Sequence, residues 1–127
     1  MALRTELSLR LSNSPGALAR VCRILGEDRI NVVALSVERA GILRMVVDNP
    51  LRAVGALTER EYTVEQRTVL LLQLPNGPGA LGHAAGLLAA ADVNVEYAYA
   101  SVLESQALAT VVVGVDHAER AATATGI

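Results

Sequence analysis

Leu7 to Val32 reads LSLRLSNSPGALARVCRILGEDRINV, and Leu70 to Val95 reads LLLQLPNGPGALGHAAGLLAAADVNV. Set against each other without a gap, the segments lie 63 residues apart and agree at 11 of 26 positions. The matches include Asn13/Asn76, Pro15/Pro78, Gly16/Gly79, Ala17/Ala80, Leu18/Leu81, Asn31/Asn94 and Val32/Val95. An uncommon loop, N-x-P-G-A-L, recurs together with an Asn at one fixed distance beyond it. Two copies in register make the chain a tandem of one small unit. The natural division is 1–67 and 68–127.

Working outward, each unit has an element order. Residues 3–11 alternate, with Leu3, Leu7, Leu9 and Leu11 on one face and Arg4, Glu6, Ser8 and Arg10 on the other. That is a half-buried strand. Asn13-Ser14-Pro15-Gly16 ends it: Pro15 suits a first helical turn, and Asn13 or Ser14 can cap the free N–H groups. The helix runs to about Asp28, with Leu18, Val21, Cys22 and Leu25 as its apolar stripe. Ile30–Glu38 and Ile42–Asp48 read as an antiparallel hairpin turned at Ala40-Gly41. Asn49-Pro50 opens a short helix over 51–59, and Tyr62–Gln66 reads as a fourth strand.

The second unit follows with hardly any linker. Val69–Leu74 is its strand, Pro78–Ala91 its helix with Leu81, Ala84, Ala85 and Leu88 inward, Val93–Val102 and Ala107–Val115 its hairpin, and His117–Thr125 a short helix. The fold class is α+β: a βαββαβ unit of ferredoxin-like type, then a second whose last strand is missing or shortened. The open edge this leaves calls for a cover, either Tyr62–Gln66 or a partner subunit.

Units of about 60 residues are near the lower limit for burying a sufficient core alone. The chain is 52% hydrophobic with a mean hydropathy of +0.38, a surplus that fits an interface. A homo-oligomer, in its simplest form a dimer, is therefore expected. The net charge of −2 and dispersed arginines give no reason to expect nucleic acid. One Cys excludes a disulfide framework and suits a reducing compartment, and Cys22 reads as a small core residue. With no apolar run of membrane-spanning length and no signal-peptide pattern, the expected location is the cytoplasm, away from membranes.

The repeated loop has a clear chemical capacity. A helix N-terminus offers unpaired N–H groups and partial positive charge, which suits a carboxylate. Gly16 and Gly79 let a ligand approach the backbone, and the Asn13 and Asn76 amides both donate and accept. Asn31 and Asn94 begin the strand after the helix, roughly 20 Å from the loop by helical rise. The two Asn of one repeat are thus not expected to share a ligand within one unit; they can do so across an interface.

Strand, N-x-P-G-x-L, helix, (V/I)-N-(V/I), strand, in a unit of this size, resembles the ACT domain, the amino-acid-sensing module of many metabolic enzymes. The resemblance covers nearly the whole chain, twice. It implies a free amino acid bound between two ACT-type units. Asn13, Ser14, Gly16, Ala17, Leu18, Asn31 and Val32 would then line one kind of site, and Asn76, Gly79, Ala80, Leu81, Asn94 and Val95 the other. It also implies regulation without catalysis, either as a stand-alone sensor or as a regulatory subunit of a biosynthetic enzyme such as acetolactate synthase. A pure oligomerisation or docking module is the competing reading.

Other motifs weigh less. Gly77-Pro78-Gly79-Ala80-Leu81-Gly82 matches the dinucleotide fingerprint, but the first repeat keeps Pro-Gly-Ala-Leu and loses the outer glycines. His83 and His117 lack partners at metal-ligand spacing, and His83 reads as an exposed helix residue. Glu96, Tyr97 and Tyr99 replace Val33, Ala34 and Ser36 and read as interface packing. Arg29 and Asp92 read as solvated turn charges. No catalytic residues, cofactor or metal are expected.

Overall fold

The computed structural model describes residues 2–126. Six strands and four helices follow in the order β1 (Ala2–Arg10), α1 (Ala17–Glu27), β2 (Val32–Val37), β3 (Ile42–Val47), α2 (Pro50–Glu59), β4 (Glu65–Pro75), α3 (Ala80–Ala90), β5 (Val95–Ser101), β6 (Leu108–Val115) and α4 (Ala118–Thr125). The chain divides into two compact units, Thr5–Arg67 and a second that starts at Thr68 and takes in residues 2–4.

In Thr5–Arg67, β3 lies between β2 and β1, antiparallel to both, with Leu7 opposite Met45 and Leu9 opposite Leu43. One face of these strands packs on α1 through Val21, Ile24 and Leu25 and on α2 through Ala53, Ala56 and Leu57. In the second unit β6 lies between β5 and β4, with Leu70 opposite Val113 and Leu72 opposite Val111. Ala84 and Leu88 of α3 and Ala118 and Ala121 of α4 cover that face. Both units are α+β arrangements of ferredoxin-like type.

The expected fourth strand at Tyr62–Gln66 is not a separate element. Glu65 begins one continuous strand that runs to Pro75 and takes in the expected Val69–Leu74 strand. Nothing between them breaks an extended backbone: neither Gly nor Pro occurs from Tyr62 to Leu74. Residues 2–4, rather than Tyr62–Gln66, cluster with the second unit. Glu6, expected on the solvent face of β1, is 2% exposed, while Leu3 on the expected core face is exposed.

Both long helices are rolled relative to the expected stripe. Ala17, Val21, Ile24 and Leu25 are the buried residues of α1, and Cys22 is exposed. In α3 the buried residues are Ala84 and Leu88, while Leu81 is 62% exposed and Ala85 is exposed too. Periodicity admits either roll; burying Ile24 removes more apolar area from water than burying Cys22, which decides it.

Candidate functional site

The loop that the repeat duplicates is a turn before it is a helix start. Ser14 O accepts from Ala17 N at 3.3 Å, and Gly16 has φ 86° and ψ −2°. Gly77 O accepts from Ala80 N at 3.3 Å, and Gly79 has φ 85° and ψ −13°. Pro at the second position and a left-handed Gly at the third are the signature of a type II turn. Pro15 and Pro78 therefore precede the helices by two residues instead of opening them. Neither Asn13 nor Ser14 caps α1, which has no side-chain cap. The turn's own carbonyl takes the Ala17 N–H, and Ser14 Oγ lies 3.1 Å from Ser12 Oγ instead.

This geometry leaves donors open. The first helical bond runs from Arg20 N to Gly16 O at 3.0 Å. The N–H groups of Leu18 and Ala19 have no partner among the described residues. Both residues line a cavity of about 990 Å³ formed by Leu11–Ala19, Cys22 and the β2–β3 turn from Val37 to Gly41. Asn13 lies in its wall with no side-chain hydrogen bond among the described residues. Leu11 N donates to Gly41 O at 2.7 Å and Arg10 Nη1 to Ala40 O at 2.9 Å, fixing the turn against the loop. Gly41 has φ +90°, and a Cβ there would stand 3.0 Å from Leu11 O.

Two charges border this cavity. Glu38 is ion-paired with Arg44, whereas Arg39 has no ion-pair partner among the described residues. One guanidinium, two open backbone N–H groups and the Asn13 amide thus border one cavity, and each is a kind of group that binds carboxylates. Arg39 escaped the sequence reading because a turn Arg has no signal of its own until the hairpin places it.

The second loop is built alike and used differently. Asn76 Nδ2 donates to Leu103 O at 3.0 Å and to Gln106 O at 2.9 Å, with Glu104 O at 3.5 Å. Asn76 N also donates to Ala107 O at 2.9 Å. Its amide hydrogens are occupied in holding the β5–β6 connection. Gly79, Ala80 and exposed Leu81 follow in the turn and first helical residues.

The second-strand residues sit elsewhere. In the first unit Asn31 and Asp48 are tied through Asn31 N to Asp48 Oδ1 and Asp48 N to Asn31 O, each 3.0 Å. Val32 pairs with Val47 in the β2–β3 ladder. The rise of α1, about 16 Å for its length, separates Asn31 from the loop, and Asn31 does not line the loop cavity. Asn94 lines a different cavity of about 210 Å³ with Asp116, His117 and Arg120, and Val95 pairs with Val115. Arg29 and Asp92 take left-handed φ of 57° and 59° where the helices end. Tyr97 and Tyr99 stack with centroids 6.4 Å apart, and a Cβ on Gly114 would overlap the Tyr97 ring. Among the described residues no three His, Cys, Asp or Glu side chains form a metal site.

The sequence profile of the ACT domain pair matches residues 1–125. The chain belongs to the ACT domain pair family. Among solved structures, this ACT pair is similar to a protein of Bacteroides thetaiotaomicron at 31% identity and TM-score 0.89, over 98% of this chain and 87% of the other. It shares its fold with the ligand-free regulatory subunit of aspartate kinase from Thermus thermophilus, at 19% identity and TM-score 0.71, over 98% and 92% of the two chains. The fold recurs in Escherichia coli aspartokinase III solved with lysine and aspartate, at 20% identity and TM-score 0.63, over 98% of this chain and 31% of that enzyme. A search of curated proteins finds no match. No helix in the described residues of the ACT pair is long and apolar enough to cross a membrane.

Proposed function

We propose that this ACT pair is a non-catalytic sensor that binds a free amino acid at the Asn13 loop and regulates an enzyme of amino-acid metabolism. The observation that carries this reading is the set of uncommitted groups around one cavity: the Leu18 and Ala19 N–H groups, the Asn13 amide and Arg39. They match a ligand carboxylate, and Leu11, Leu18 and Val37 offer an apolar wall for a side chain. At about 990 Å³ the cavity is far larger than an amino acid, so the ligand needs a second surface to shut it off from water. A second ACT-type unit, supplied in a homodimer, provides that cover, and ligand binding then favours one packing over another. In this scheme Asn31, Val32, Asn94 and Val95 contribute from across the interface, and 1–67 and 68–127 act as separate functional domains. The aspartate kinase regulatory subunits that share the fold support a regulatory role.

For the second unit a scaffold role is the better reading, because the Asn76 amide hydrogens are already spent on the Leu103 and Gln106 carbonyls. A thermal-shift screen against the twenty amino acids tests both readings through mass action. One or two amino acids raise the melting temperature, the rise disappears in Asn13→Ala and Arg39→Ala, and it survives in Asn76→Ala. If no amino acid shifts the transition, the sensor reading fails and the pair is an assembly or docking module.

A further inference from the structure

The outer face of the first unit carries a charge arrangement that the amino-acid site does not use. We propose that it binds a phosphate-type polyanion. Arg20, Arg23, Ile24 and Glu27 follow one another on α1, and with Arg60 and Tyr62 they line a cavity of about 360 Å³. Arg23 and Arg60 therefore share one concavity with Glu27, and Arg20 lines it too, although its guanidinium reaches Ser12 outside it. Glu27 Oε2 lies 3.7 Å from Arg60 Nη2, a long pair whose two side chains are each 57% exposed. Arg20 reaches only the neutral Ser12 hydroxyl, at 3.5 Å. Arg23 has no hydrogen bond or ion pair among the described residues. Glu59 and Glu61 flank Arg60 in sequence but do not line the cavity. Holding like charges together is unfavourable, and a bound anion relieves it.

The repeat supplies the internal control. Positions 20, 23 and 27 recur as His83, Gly86 and Ala90 on α3, which forms the same helix without them. The helix and its packing thus do not require the arginines. Every arginine except Arg4 and Arg120 falls in Thr5–Arg67, together with eight of the thirteen acidic residues, so that unit carries a net charge of +1 and the other −3. Guanidinium forks match phosphate oxygens bidentately, and a group with several such oxygens engages more than one fork, which a lone carboxylate does not. The cavity has the size of a small-molecule site and not of a groove for a peptide. Free pyrophosphate and the phosphate chain of a nucleotide present the same chemistry here.

Isothermal titration calorimetry on the whole protein at low ionic strength, with inorganic pyrophosphate and with adenosine triphosphate, tests this. Saturable binding is expected, weakened roughly tenfold in Arg23→Ala, partly restored in Arg23→Lys and unchanged in Arg52→Ala, an exposed arginine outside the cavity. Equal affinity for the two probes assigns the site to the phosphate groups alone, and tighter triphosphate binding that inorganic tripolyphosphate does not match assigns it to a nucleotide. Absence of saturable binding by either probe overturns the proposal. So does an equal loss in Arg52→Ala, which marks a diffuse field instead of a site. The amino-acid screen is independent, since neither Arg23 nor Arg60 lines the Asn13 cavity.

Discussion

The two N-x-P-G loops have nearly the same backbone and opposite commitments. Gly16 and Gly79 differ by 1° in φ, and the turn bond of each loop is 3.3 Å long. Yet Asn13 stands uncommitted beside a cavity while Asn76 is bonded to the carbonyls of a hairpin. The cause lies some thirty residues downstream of each loop. Leu7 and Leu70 are 63 residues apart, but their partners Met45 and Val113 are 68 apart, so the second hairpin is five residues longer. Those extra residues bring the carbonyls of Leu103 and Gln106 within reach of Asn76. A duplicated motif thus preserves its turn while its polar side chain is free to change occupation.

The sheets differ in the same reciprocal way. Ala34 faces Val46 across the first hairpin, and Tyr97 faces Gly114 at the equivalent place in the second. Small and large have exchanged sides. Gly114→Val alone drives a side chain into the Tyr97 ring and is expected to destabilise by about 3 kcal/mol in urea denaturation. Adding Tyr97→Ala recreates the first repeat's pair and recovers most of that loss; failure to recover would break the equivalence.

Gly16→Ala and Gly79→Ala are expected to cost about 1–2 kcal/mol each, because both positions are left-handed. Open space around both excludes a clash term, so the two losses should agree. A clear inequality in the midpoints would show that the turns are not alike. Asn76→Ala removes two short but solvent-accessible bonds and should lose about 1 kcal/mol, with faster amide exchange over residues 102–107. Asn13→Ala should change stability by less than about 0.5 kcal/mol. Equal losses at Asn13 and Asn76 would erase the contrast between the loops. The smallest effect is energetic silence at Cys22, whose side chain is exposed: Cys22→Ser should shift stability by less than about 0.5 kcal/mol in urea denaturation, and a larger loss would contradict that exposure.

Much of this was legible in the residues. Element order follows from the alternating strands and from Gly and Pro punctuation, and Asn49 does cap α2, accepting from Arg52 N at 3.1 Å. The boundary between repeats was less legible, since Tyr62–Leu74 contains two apolar stretches and no residue that forces a break; one strand fills both. The roll of α1 was ambiguous between Cys22 and Ile24, two apolar residues close to one stripe. Among site residues the loop cavity brings together Asn13, Ser14, Gly16, Ala17 and Leu18, while Asn31 and Asn94 lie apart from it.

By itself the sequence determined the duplication and most of the order of elements, because these depend on contacts within a few residues of chain: the proline ring, a missing Cβ, alternation along a strand. Tertiary structure alone decided which Asn is free, that Arg39 joins the loop cavity and that Gly114 lies under a Tyr ring. Those outcomes depend on hairpin length and strand register, which bring together groups about thirty residues apart or, for Tyr97 and Gly114, across a hairpin.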